Sequence, residues 1–240
     1  MPRPEIDAFE PGSAARRGLH VVRRVLEGEE TDRVLGYALD GRHLAGIAVG
    51  RRPLESLRVL AWGLSGELLS VAVSYDTAWG WIRISDIDDA GVRRRLYAGA
   101  LPPAAISTGS VAAGPQGFRE SHFEARAAAR VARLSGAALT VYEDVALEAL
   151  TIADTEAARR FVRHVLGELG EERRRGRQLR TTLRAYLAAG QNAASAAAAL
   201  GVHERTVSNR IRAAEAELRG PVARTHAELE LALRLHELLT

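Results

Sequence analysis

Between Asn192 and Arg212 the chain gathers side chains able to hydrogen-bond flat, edge-on acceptors. Arg205 can offer two parallel N–H groups to guanine O6 and N7, and Asn209 can pair with adenine N6 and N7. Thr206 beside them can reach either base type, so these three residues are the candidates for reading bases in a DNA major groove. Ser195, His203, Ser208, Arg210 and Arg212 suit phosphate oxygens, together with the free amides of a helix N-terminus. His203 has no second metal ligand near it in sequence, so a cap or a phosphate contact is expected and a metal is not.

Such a set works only if two short helices hold it. Asn192 stands where an N-cap belongs, ahead of an Ala-rich helix over 193–200. Ala196 and Ala197 are small where two helices must cross closely, and Gly201 can take the left-handed turn that a β-carbon penalises. Leu200, Val202, Val207 and Ile211 then face a core, leaving the polar residues of the second helix outside. That is the outline of a helix-turn-helix. On pattern alone an ordinary αα-hairpin in a helical domain fits as well.

Charge supports the first reading. The 240-residue chain has a formal net charge of +3. From Glu171 to Arg219 it holds ten Arg and five Glu, so the excess sits there and the remainder is slightly acidic. A basic section on a near-neutral body is the electrostatic footprint of nucleic-acid binding. All 33 basic residues are Arg, and this, with the abundant Ala, fits codon bias and carries no functional weight. There is no cysteine, hence no disulfide framework, thiolate nucleophile or Cys-based zinc site. The N-terminus lacks an apolar signal core and no apolar run approaches the length of a membrane span, so a soluble, cytoplasmic chain is expected.

Residues 1–12 read as a disordered tail. A helix from Ser13 to Gly28 carries Leu19, Val22, Val25 and Leu26 at helical spacing, with Arg16, Arg17, Arg23 and Arg24 opposite. From Tyr37 the pattern alternates. His43–Val49 is a buried strand, Pro53–Leu64 a helix with Pro at its start, and Leu69–Tyr75 with Trp79–Ile84 a hairpin turning at Asp76–Ala78. A helix over Ala90–Ala98, a strand at Ala105–Ser107, a helix from Phe118 to Leu134 and a strand at Ala138–Tyr142 complete an α+β plan. Its βαββαβ order predicts an antiparallel sheet with helices on one face. Asp154 caps a helix over 155–169, and Glu171–Gly176 reads as a charged hinge. A helix over 178–189, the two helices described above, and a last helix opened by a Thr225/Glu228 capping box make an all-α C-terminal part. The domains expected are a tail and helix at 1–33, an α+β domain at 34–150, a connecting helix and hinge at 151–176, and an all-α domain at 177–240.

The segment Leu179-Arg-Thr-Thr182-Leu183-Arg-Ala-Tyr186-Leu187, followed by Ala197, Leu200, Val202-His203, Thr206-Val207, Arg210-Ile211, Glu215 and Leu218, resembles the C-terminal helix-turn-helix of the PucR/CdaR family of bacterial transcriptional regulators. Its turn and second helix are also similar to those of Fis-type DNA-binding domains. Gly114-Pro-x-Gly117-Phe118-Arg119-x-Ser121-His122-x-x-Ala125 resembles a motif of the GGDEF-like central domain in the same family, and Tyr142-x-Asp144 sits where that domain ends. The resemblance spans residues 34–240 and implies a degenerate, ferredoxin-like GGDEF domain followed by a DNA-binding domain. Relatives commonly carry Asn where Arg205 stands and Tyr where Asn209 stands, so an operator cannot be transferred from them. They usually carry a sensor domain ahead of the central one, where this chain has residues 1–33; a short member and a trimmed chain both fit.

A GGDEF resemblance raises the alternative of a nucleotide cyclase, which needs acidic residues for Mg²⁺ and a Gly-Gly-acid-Glu hairpin around the nucleotide. His43–Val49 contains no acid, and the hairpin reads Ser74-Tyr-Asp76-Thr-Ala-Trp79-Gly-Trp81. Asp86, Asp88 and Asp89 read as a helix-capping loop. Gly117, Arg119 and Ser121, at the entry to a helix, are a candidate anion or ligand loop; a loop anchored by Phe118 in the core fits the same residues. The function expected is a sequence-specific DNA-binding regulator, a non-enzyme without cofactor or metal. Its partners would be double-stranded DNA, a second copy of itself and an unidentified small-molecule effector, with no membrane.

Overall fold

The computed structural model describes residues 13–29, 31–99, 102–218, 220–222 and 226–240. The expected tail at 1–12 and the Thr225 cap lie outside them. The chain packs as two compact units, one ending at Ala149 and the other running from Leu150 to Thr240.

In the first unit α1 (Ser13–Leu26) and a small hairpin, β1 (Arg33–Val34) with β2 (Tyr37–Ala38), precede the main sheet. The sheet is built on β3 (Arg42–Gly50), whose residues from His43 to Ala48 are all buried. A continuous apolar run of this kind marks a strand covered on both faces. After it come α2 (Pro53–Leu64), β4 (Glu67–Ala72), β5 (Thr77–Ile84), α3 (Asp89–Ala98) and β6 (Ala104–Thr108). These strands lie in the order β4-β5-β3-β6, all antiparallel, which is the ferredoxin-like βαββαβ arrangement.

Three more elements extend it: β7 (Ala112–Ala113) pairs with β3, then come α4 (Gly114–Ser135) and β8 (Leu139–Val141). β8 runs parallel to β6, so the sheet is mixed rather than antiparallel as expected. The reason is α4, a helical crossover that returns the chain to the end of the sheet where β6 began. Helix α4 also starts four residues earlier than expected, because Gly114 turns at φ +71° and Pro115 fits the first helical turn.

The expectation of helices on one face describes α2 and α3 alone. They cover Leu44, Ile82 and Ile84 with Ala61, Leu64, Val92 and Leu96. The other face is not left to water. Leu19, Val22 and Val25 of α1, with Phe118 and Ala125 of α4, close over Ala45, Ile47, Leu69, Val71 and Trp81. The period-3 apolar positions of α1 therefore exist to seal a sheet face.

Helix α5 (Tyr142–Thr151), which the sequence pattern did not single out, leads out of the first unit. In the second unit Asp154 accepts from Ala157 N–H at 2.9 Å and caps α6 (Thr155–Leu166). Gly167, at φ +50°, ends α6 three residues before the expected Leu169, and a 3-10 turn follows over Gly167–Gly170. Next come α7 (Arg174–Ala188), α8 (Ala193–Leu200), α9 (Glu204–Glu217) and α10 (His226–Leu239).

The charged stretch Glu171–Gly176 is not a free hinge. Arg180, buried on α7, donates to the Leu169 carbonyl at 2.5 Å, the Glu171 carbonyl at 2.9 Å and Glu172 Oε1 at 2.5 Å. Gly176 packs so closely that a β-carbon would stand 2.9 Å from the Glu171 carbonyl oxygen. His236 of α10 meets the Gly170 carbonyl oxygen at 2.8 Å. Because α6 packs against α10, the helix expected as a connector belongs to the C-terminal unit.

Candidate nucleic-acid interface

Helices α7, α8 and α9 pack on one another and build the site. Asn192 Oδ1 accepts from Ser195 N–H at 2.9 Å and starts α8, and Ala196 and Ala197 are buried at the crossing. Gly201 adopts φ +62°, the left-handed turn that redirects the chain, and its N–H closes on the Ala198 carbonyl. His203 then caps α9: its ring Nδ1 faces Arg205 N–H at 3.4 Å, a long contact. Val207, Ile211 and Ala214 fill the inner face of α9 at the spacing i, i+4, i+7.

That inner stripe fixes what lies outside. At about 100° per residue, Arg205, Asn209 and Arg212 share the opposite face, one above the other. All three are exposed, and neither arginine has a carboxylate partner among the described residues. Arg205 and Asn209 occupy the N-terminal half; Arg212 stands roughly 10 Å along the axis from Arg205 at about 1.5 Å per residue. Ser195 and His203 are also exposed. Thr206 and Ser208 flank the stripe and are half-buried.

Arg210 differs from the expectation. Its guanidinium donates to Thr182 Oγ1 of α7 at 3.4 Å and is half-buried, so it turns toward the bundle and away from the outer stripe. The reason is angular: Arg210 is one residue from Ile211 and three from Val207, beside the core face.

The basic excess read from composition is also redistributed. Arg173 pairs with Glu171, Arg175 with Glu217, Arg177 and Arg180 with Glu172, and Arg184 with Glu237. Most of these pairs join different helices or a helix and the turn before it, which linear charge counting cannot show. The cations left facing outward on α9 are those of the Arg205–Arg212 stripe.

In the first unit the candidate anion loop is not assembled. Gly117 and Ser121 lie inside α4 and are buried. A β-carbon on Gly117 would stand 2.4 Å from the Ala112 carbonyl carbon, and Ser121 Oγ accepts from Ala45 N–H at 2.8 Å. Only Arg119 is partly exposed. Phe118 is fully buried and stacks on Trp81, with centroids 4.4 Å apart. Asp88 caps α3 by accepting from Gly91 N–H at 2.8 Å, and Asp89 pairs with Arg42. Among the described residues no group of acidic and His side chains is placed to hold a metal.

Sequence reasoning missed Arg180 and His236 as fastening residues, and His122. The His122 ring is buried between Trp79 and Trp81, at centroid distances of 4.5 and 5.0 Å, and neither nitrogen has a hydrogen-bond partner among the described residues. Burial, with the Arg126 charge beside it, pushes its pKa down to about 3, so the ring is neutral. No feature of the linear sequence separates a buried, unpartnered His from an exposed one. No helix among the described residues is long and apolar enough to cross a membrane.

Comparison with known proteins returns two domain families. Residues 29–131 match the GGDEF-like domain, and residues 179–235 match the PucR C-terminal helix-turn-helix domain. No curated protein matches the chain. Among solved structures, a regulator of polyketide synthase expression from Bifidobacterium adolescentis aligns over 90% of this chain and 96% of its own, at 18% identity and a TM-score of 0.40.

Proposed function

For a chain that belongs to the PucR/CdaR type of bacterial transcriptional regulators, we propose sequence-specific binding of double-stranded DNA through α9 laid in the major groove. The observation that supports this is the outer stripe of α9. Arg205, Asn209 and Arg212 stand directly opposite the buried Val207, Ile211 and Ala214, on a helix that follows a left-handed glycine turn. A helix fixed on its inner face and presenting a guanidinium and an amide from its first turns is what base-edge reading requires.

Arg205 and Asn209 read bases, with Thr206 at the flank. Arg212, farther along the helix, meets the phosphate backbone. Ser195 at the start of α8 and His203 at the start of α9 add phosphate contacts from two helix N-termini. Ser208 can join them, whereas Arg210 serves the packing of α9 on α7. One unit of this size binds weakly, so the chain acts as a homodimer whose two copies read a palindromic site.

In this reading the first unit has no catalytic part and serves dimerisation or signal input. The residues support it: β3 carries no acidic side chain, the β4–β5 turn has no Gly-Gly-acid-Glu sequence, and Asp88 and Asp89 are spent on α3 and Arg42. The test is selection of bound duplexes from random DNA at fixed salt with the full chain. Enrichment of a palindrome supports the reading. Recovery of no preferred sequence sinks it and favours a protein-interaction module.

A further inference from the structure

The sheet face closed by α1 and α4 is not filled along its whole length. Beyond Phe118 and Ala125, α4 presents Ala129 and Ala132, and β6 presents Ala105 and Ser107 opposite them. Four small residues across one layer leave it unpacked, and a cleft of about 560 Å³ remains there. Close-packed interiors leave few voids larger than a water, whereas ligand clefts run from about 300 to 1,000 Å³. The floor is apolar, made by Ile47, Val49 and Trp79, which share this face of β3 and β5.

The rim has the opposite character. Arg126, Arg130 and Arg133 follow one another on α4 at i, i+4 and i+7, and all three line the opening. None has a carboxylate partner among the described residues, and like charges at this spacing repel. The acid in the lining is Asp76, whose carboxylate already accepts from the Ser74 hydroxyl at 2.6 Å and the Thr77 hydroxyl at 3.0 Å. The cleft thus combines an apolar floor with three arginines against one carboxylate, an excess of positive charge at its mouth.

We infer that this cleft is a binding site for a small organic acid, a carboxylate carried on an apolar body. The arginines present planar donor forks that match a carboxylate. Ile47, Val49 and Trp79 take the hydrocarbon or aromatic part out of water. A nucleotide fits less well, because beside the arginines the lining offers Asp76, already engaged by Ser74 and Thr77, with Thr77 and Ser107, too few free polar groups to satisfy a base and a sugar in the same space. The site lies within the first unit and stands apart from the DNA-binding reading, so either can fail without the other.

The test titrates the full chain with octanoate and benzoate by calorimetry. Octanamide, phenyl phosphate and inorganic phosphate serve as comparison probes. Saturable binding of an acid is expected, with octanamide about tenfold weaker or worse, and Arg130→Gln costing about tenfold. Ala129→Leu, which fills the cleft, should abolish binding while the circular dichroism and melting temperature show a folded chain. Arg130 is exposed, so its variant folds as the parent does. The inference is overturned if neither acid binds saturably, or if binding survives both Arg130→Gln and Ala129→Leu. Equal or tighter binding of either phosphate probe would overturn the carboxylate assignment.

Discussion

The Ser121 hydroxyl accepts a hydrogen bond from the Ala45 amide at 2.8 Å, joining the middle of α4 to the central strand of the sheet. On that edge β3 pairs with β6 as far as Thr108 and with β7 from Ala112, and the amide of Ala45 falls in the gap. Ser121 supplies the acceptor a neighbouring strand would have offered. Gly109 allows the approach, since a β-carbon there would stand 2.1 Å from the Ser121 carbonyl oxygen. A buried N–H without a partner is costly, so Ser121→Ala should destabilise the first unit by roughly 1–3 kcal/mol. Denaturant unfolding followed by tryptophan fluorescence measures this, because Trp62, Trp79 and Trp81 all lie in that unit.

Arg180 is the corresponding fastening in the second unit. Arg180→Met keeps the length of the stem but leaves the Leu169 and Glu171 carbonyls without their guanidinium donor. A loss of roughly 2–4 kcal/mol is expected, by the cost of unmade charge-assisted bonds. It should appear in the unfolding of the second unit, followed by hydrogen exchange in α7 and α10, and leave the tryptophan-detected transition in place. Arg180→Lys should recover little, since one ammonium cannot span three acceptors set out for a planar fork. Full recovery by Lys would show that charge alone matters there.

His122 makes the first unit sensitive to acid. In the unfolded chain its imidazole titrates near 6.5, and in the folded chain near 3. Between those values the unfolded state binds the extra proton, so stability is full above about pH 6.5 and falls as the pH drops toward 3. The slope contributed is at most about 1.4 kcal/mol per pH unit. Burial also pushes His43 down, with the same sign. Since neither His122 nitrogen has a partner among the described residues, His122→Leu removes no hydrogen bond seen there. It should flatten the fall in stability between pH 6 and pH 4, read from urea midpoints by tryptophan fluorescence; an unchanged slope would assign the acid sensitivity elsewhere.

On the α9 stripe two arginines should behave differently. Arg212→Ala is expected to weaken binding to all duplexes alike and to reduce the log–log salt slope by about 0.9, the value for one phosphate contact. Arg205→Ala should relax the preference at one base position by about 1–3 kcal/mol. An unchanged selected-site profile for Arg205→Ala would remove it from the groove. Arg184→Ala, which loses a pairing with Glu237, should leave both slope and profile as they are.

Much of the local structure is legible from the residues. Asn192, Asp154, Gly201 and Pro53 mark element ends through chemistry confined to one turn, and each stands at such an end. The continuous run from His43 is legible as buried, and it is so as far as Ala48, with Val49 exposed near the strand end; that α1 and α4 cover its second face is not legible. The sequence pattern places the start of α4 four residues late, because Gly114-Pro115 signals both a loop and a helix start. The motif residues Gly117 and Ser121 could be named but not explained. Their partners, Ala112 and Ala45, come from other elements, and only the packed structure shows how close they lie.

By itself the sequence determined the longer elements, the βαββαβ order and which residues of α9 must face inward, because periodicity and capping act over a few residues; the short strands β1, β2 and β7 and helix α5 carry too little periodicity to be read. The tertiary structure decided which charges remain outward. Arg173, Arg175, Arg177, Arg180 and Arg184 find carboxylates, Arg210 turns to Thr182, and Arg205 and Arg212 stay exposed. It also decided that four small residues, distant in the chain, meet in one layer and leave a cleft beneath three arginines. Pairing and voids depend on distances between elements, and those exist only once the chain has packed.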